Sequence, residues 1–145
     1  MSLLGKSKTT KQTKTVKRKT VPKKQEKPKN YGLYDIKNNK LFQSNDPNGT
    51  HMYVVFSDNK GNVLKAVETT HLYSPDKIAK IRQKKIKPVQ FGGVEFPSGV
   101  TNTYYTKDVN DKPLKTKDKG IKQRKATISE KQAIEINAFA KEKRR

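Results

Sequence analysis

Apolar and polar residues alternate most cleanly over residues 51–69. His51-Met-Tyr-Val-Val-Phe-Ser57 and Asn62-Val-Leu-Lys-Ala-Val-Glu-Thr69 both read as strands, rich in the β-branched and aromatic residues that suit a pleated, half-buried surface. Between them, Asp58-Asn-Lys-Gly-Asn62 has the form of a three-residue hairpin loop with Gly61 in the left-handed position. Pairing Asp58 with Asn62 predicts a register with Phe56 opposite Leu64 and Val54 opposite Ala66 on the core face. Val55 then lies opposite Lys65, and Tyr53 opposite Val67. A slip by one, with Phe56 against Lys65, mixes the two faces and is disfavoured.

The period changes after the hairpin. Ser74-Pro-Asp76 supplies an N-cap, a first-turn proline and an acid at the positive helix end, predicting a helix to about Lys85 that Pro88 closes. At about 100° per residue, Ile78, Ile81 and Arg82 share one side and Lys77, Lys80 and Lys84 another. The apolar stripe is expected to pack on the sheet, with the lysine stripe outside. Val89 to Phe96 alternates around Gly92-Gly93 and reads as a tight hairpin, after which Pro97-Ser-Gly99 turns the chain into a strand from Val100 to Thr106. Tyr31 to Ile36 and Leu41-Phe42 are weaker strand candidates. Thr127-Ile-Ser-Glu130 matches a capping box ahead of a helix of about four turns, with Ala133, Ile136, Phe139 and Ala140 on one side and cations at its negative end.

These elements predict an α+β, mainly β fold: a small bent antiparallel sheet or an SH3-like or OB-like barrel of five to six strands, with one inserted basic helix, a disordered N-terminal arm and a C-terminal helix. The expected organisation is a Lys/Thr-rich arm over 1–30, a β-rich domain over 31–106, a polar linker over 107–126 and the terminal helix over 127–145. The arm holds no aromatic residue, whereas ten of the eleven aromatics fall between Tyr31 and Tyr105. A segment so poor in apolar surface cannot offset its ordering entropy, hence the expectation that it is disordered when free.

Charge changes this picture more than any motif does. Of 145 residues, 34 are Lys or Arg and 13 Asp or Glu, a formal net charge of +21. The arm carries +10, residues 31–107 carry +5 and residues 108–145 carry +6, so the excess is densest where no core can form. Such a balance points to a polyanionic partner, nucleic acid first and an acidic protein second. Only five of the basic residues are Arg, and Lys holds phosphates without the bidentate geometry that reads guanine. Binding through the backbone with little sequence reading is the expected mode. Some of the lysine excess also fits the amino-acid usage of an AT-rich genome, though that alone does not expel acids from the arm.

Composition excludes other classes. The absence of Cys rules out disulfides, thiol nucleophiles and Cys-ligated zinc. No run of about 18 apolar residues and no signal-peptide core is present, so a cytoplasmic location without membrane contact is expected, nuclear or nucleolar if the source is eukaryotic, given Lys17-Arg-Lys19 and Lys23-Lys24. No phosphate-loop or hydrolase-elbow motif occurs, and nothing calls for a cofactor or metal.

The candidate nucleic-acid contacts are therefore Lys17, Arg18, Lys19, Lys23 and Lys24 of the arm, Lys77, Lys80 and Lys84 of the helix, and Tyr53, Tyr104 and Tyr105 as base-stacking rings. Tyr104 and Tyr105 are strand neighbours pointing to opposite faces, so one of them is expected outside. The main expectation is a small basic nucleic-acid-binding protein, RNA slightly ahead of DNA. A metal-independent, toxin-like endoribonuclease is the alternative. The predicted register places His51 and His71 at the open end of one hairpin, where with Arg82 they would act as acid and base on the RNA 2′-hydroxyl. A third reading is a phage or plasmid protein-interaction module that uses the Ile136 and Phe139 face.

Overall fold

The computed structural model describes residues 28–144; the predicted arm, with Lys17, Arg18, Lys19, Lys23 and Lys24, lies outside the described residues except for positions 28–30. In chain order the elements are β1 (Asn30–Lys37), α1 (Asn38–Leu41), β2 (Thr50–Ser57), β3 (Val63–His71), α2 (Pro75–Arg82), β4 (Ile86–Pro88), β5 (Ser98–Tyr105), β6 (Ile121–Gln123), α3 (Glu130–Phe139) and β7 (Glu142–Lys143). The strands make one sheet in the order β4-β5-β3-β2-β1-β6, to which β7 adds beside the far half of β5. All pairings are antiparallel except β5 with β7. The two ends of that order do not pair, so of the two predicted architectures the open sheet is the one that forms.

Both faces of the sheet are buried. Val54 and Val55 are neighbours on β2, point to opposite sides, and are both fully inaccessible. On one side Leu33, Val54, Val67 and Val100 pack with Phe91, Ala133 and Ile136, under α3 and the 89–94 segment. On the other, Ile36, Tyr53, Val55, Ala66 and Tyr105 pack with Leu41, Leu114 and Ile121. The stretch 107–126 is thus no free linker. Leu114 is a core residue, β6 pairs with β1, and Val63 N–H donates to the Leu114 carbonyl at 2.9 Å.

This two-sided burial corrects the hairpin register. The loop forms as expected: Gly61 has φ +85, Asp58 and Asn62 close it, and the Asp58 carboxylate accepts the N–H groups of Lys60 and Asn62. Ser57 accordingly pairs with Val63. Beyond that pair Leu64 bulges out of the ladder, so Phe56 faces Lys65, Val55 faces Ala66 and Val54 faces Val67. This is the slipped pairing, which places Lys65 on the core face with Phe56. Lys65 is accommodated there because its ammonium donates to the carbonyls of Asn137 and Ala140, both at 3.1 Å, closing the carbonyl end of α3.

Three further expectations change for identifiable reasons. Val89 to Phe96 makes a turn, with Val94 N–H on the Phe91 carbonyl, but no hairpin ladder. Gly92 pairs instead with Thr127, by N–H donation in both directions at 3.1 and 2.8 Å, and a Cβ on Gly92 would collide with the Thr127 hydroxyl. That pairing occupies the Thr127 backbone, so the capping box forms two residues later. Ser129 Oγ accepts from Gln132 N–H at 3.1 Å and Gln132 Oε1 accepts from Ser129 N–H at 3.0 Å. The helix it opens is ten residues long, and the basic terminus continues into β7 rather than capping it. Leu41-Phe42 is not a strand, because α1 turns Leu41 into the second core.

Candidate nucleic-acid interface

The surface that gathers the most predicted contacts runs from His71 to Lys87, across the end of β3, α2 and the start of β4. Ser74 adopts the extended N-cap conformation, and Pro75 and Asp76 open the helix, as their residue types dictate. The Asp76 carboxyl is held below its ordinary value, first by the Ser74 hydroxyl and then, against partial desolvation, by Lys80 and Lys77. At the other end, Lys84 N–H reaches the Ile81 carbonyl at 3.0 Å and Lys85 N–H the Lys80 carbonyl at 2.8 Å, the double bond of a Schellman cap. Its left-handed position is taken by Lys84, at φ 60, where glycine is the unstrained choice.

Contrary to the expected docking of its apolar stripe, α2 buries none of its residues. Ile78 is 55% exposed and Tyr73, just before the cap, 65%. The Tyr73 ring lies 5.0 Å from the His71 ring, at an interplanar angle of 34°. Lys77 Nζ donates to Thr70 Oγ1 at 2.6 Å, which holds that ammonium beside the end of β3. Lys80 pairs with Asp76 at 3.9 Å across exposed surface, a contact that restrains it little. Arg82, Lys84 and Lys85 follow as exposed cations.

The predicted stacking tyrosines are elsewhere. Tyr53 is buried in the second core, edge-on to Tyr105 with centroids 6.0 Å apart. Its phenol is pushed far above the ordinary value, chiefly by burial and next by Glu68. Tyr105 is buried too, its hydroxyl accepting from Arg144 Nη1 at 2.9 Å, while Arg144 Nη2 pairs with Glu68 at 2.8 Å. Tyr104 is half-buried beside the first core, with Lys65 Nζ 5.0 Å from its ring centre. Because both faces are covered, neither member of the Tyr104-Tyr105 pair stands outside.

The histidines are not brought together. His51 contacts α1 through Asn38, whereas His71 lies against Tyr73 ahead of α2. His51 Nδ1 lies 2.6 Å from Asn38 Oδ1. Since the Asn38 amide nitrogen donates to the Asp46 carbonyl, that oxygen is the acceptor and His51 Nδ1–H the donor. Ile136, one half of the predicted protein-docking face, is sealed in the first core, and Phe139 is half-buried against it.

A second basic surface joins residues far apart in the sequence. At the hairpin tip a groove of about 490 Å³ is bordered by Lys29, Lys60, Lys117, Tyr34 and Gln123. Asn30 Nδ2 donates to Asn59 Oδ1 at 2.8 Å, and Thr116 N–H donates to the Gly61 carbonyl at 2.8 Å. These two bonds draw lysines from positions 29, 60 and 117 to one place. Their separation in sequence hid the groove, although the loop that anchors it was readable.

Among the described residues no group of three or more His, Asp or Glu side chains is placed to hold a metal ion, and no helix is long and apolar enough to cross a membrane. No family model, no curated protein and no solved structure matches the chain.

Proposed function

We propose that the protein is a small nucleic-acid-binding protein of the cytoplasm, with RNA preferred over DNA, that holds the phosphate backbone and reads little sequence. The observation that carries the reading is α2: a helix with no buried residue that presents Lys77 and Lys80 and leads into Lys84 and Lys85. A helix free of the core contributes little packing to the fold, so its lysines and its exposed apolar side chains are available to a partner. The groove at the hairpin tip adds Lys29, Lys60 and Lys117, next to where the basic arm joins the sheet.

Each ammonium placed on a phosphate releases condensed counterions, so affinity for a generic oligonucleotide should fall steeply between about 50 and about 200 mM salt. Fluorescence anisotropy with RNA and DNA probes across that range tests the reading. A salt-insensitive affinity, or no binding at the lower salt, would overturn it. The endoribonuclease alternative draws no support from the histidines' contacts, since His51 bonds Asn38 and His71 lies against Tyr73.

A further inference from the structure

We infer that the α2 surface selects unpaired over paired nucleic acid, with Tyr73 as the platform on which a base stacks; this rests on the binding function proposed above. Among the described residues the large apolar side chains left exposed are Leu64, Tyr73 and Ile78. Two of these three flank the start of α2, on either side of its cap. Tyr73 and Ile78 occupy the positions of a hydrophobic staple, yet each keeps more than half its surface in water, so mutual packing does not account for them. A ring 65% exposed and braced at 5.0 Å by the His71 imidazole has a defined orientation and an open side. The helix that follows it carries cations: Lys77 is tied to Thr70 at the end of β3, and Lys80 lies one helical turn on, paired with Asp76.

An exposed tyrosine at the head of a lysine-bearing helix suits one ligand chemistry well, a π-faced base on a phosphate backbone. In a duplex the base faces are already stacked on their neighbours, so Tyr73 gains nothing there and only the lysines contribute. A partner protein with an acidic surface is the competing occupant, but it would satisfy the lysines without requiring an aromatic face. The other tyrosines are less open: Tyr53 and Tyr105 are buried, and Tyr31, Tyr34 and Tyr104 are half-buried against the two cores.

The test uses the full chain and two probes with equal numbers of phosphates, an unstructured single strand and a closed duplex hairpin, at one low salt concentration. Tyr73→Ala is expected to weaken single-strand binding about 5- to 150-fold and to leave duplex binding and both salt slopes unchanged, while Tyr73→Phe retains the preference. Because the chain has no Trp, Tyr73→Trp adds a readout independent of affinity: its fluorescence should be quenched by the single strand and not by the duplex. Equal loss for both probes in Tyr73→Ala, or no loss for either, overturns the inference while leaving salt-dependent phosphate binding in place. Absence of binding by the unaltered chain to both probes would overturn the underlying function as well. Binding of an acidic polypeptide that competes with the single strand and is equally weakened by Tyr73→Ala would assign the surface to protein and also overturn it.

Discussion

The ammonium of Lys65 sits where a helix end, a tyrosine ring and a strand meet, and its two bonds to the Asn137 and Ala140 carbonyls replace water at the negative end of α3. Lys65→Met keeps the stem and removes the donors. Stability should fall by about 1–3 kcal/mol, read as a lower denaturant midpoint at unchanged m-value. The acids behave differently. The Asp108 carboxyl is drawn below its ordinary value of 3.8, most strongly by the N–H of Lys112, then, against desolvation, by that of Asn110 and by Lys40. A carboxyl with a lowered value in the fold stabilises at every pH above its unfolded value and loses that contribution as pH falls through its folded value. Asp108→Asn should therefore melt at a lower temperature than the unaltered chain at neutral pH. The gap should narrow in melts taken progressively below about pH 4.

At the level of elements, α2 and α3 make opposite contributions. Truncating Ile136 in the first core (Ile136→Ala) should cost about 2–5 kcal/mol, whereas Ile78→Ala on the exposed helix should stay within about 0.5 kcal/mol; parallel denaturant titrations separate the two. The contrast also explains what could be read in advance. Ser74-Pro75-Asp76 specified where α2 begins because caps are local chemistry, and Asp58 to Asn62 specified its loop for the same reason. Whether the Ile78 stripe meets a sheet depends on what else competes for that face, and α3 and the 89–94 segment take it. The hairpin register failed on the same ground. A single buried face punishes a slip of one residue, but with Val54 and Val55 both in cores the penalty is small, and a bulge at Leu64 that delivers Lys65 to α3 prevails. The expectation that one of Tyr104 and Tyr105 stands outside, and that Tyr53 can stack a base, rests on the same assumption of one wet face. Leu114, deep in the second core, was hidden in a stretch whose composition is otherwise polar.

For the whole molecule, the two basic surfaces lie at opposite ends of one hairpin. The groove with Lys29, Lys60 and Lys117 lies at the tip of β2–β3, and Tyr73 with the α2 lysines lies at the opposite end of β3. Nine strand residues at about 3.4 Å each separate them by about 30 Å. Under the proposed function, a nucleic acid shorter than that span would engage one end and a longer one both, the second contact forming at the effective concentration set by the connecting strand. Affinity for single strands of increasing length should therefore climb in two stages, with the dependence on salt steepening at the second. Substituting Lys77, Lys80 and Lys84 together by Ala should remove about 2 from the slope of log K against log salt if each neutralises one phosphate of a single strand. The same substitutions at Lys29, Lys60 and Lys117 should abolish the second stage while leaving short-strand binding at α2 intact. Deleting residues 1–27 should lower the slope at every probe length, because those residues carry a net charge of +9. A single smooth rise with length, unaffected by either triple substitution, would mean that the arm alone carries the binding and that the folded domain serves to hold it.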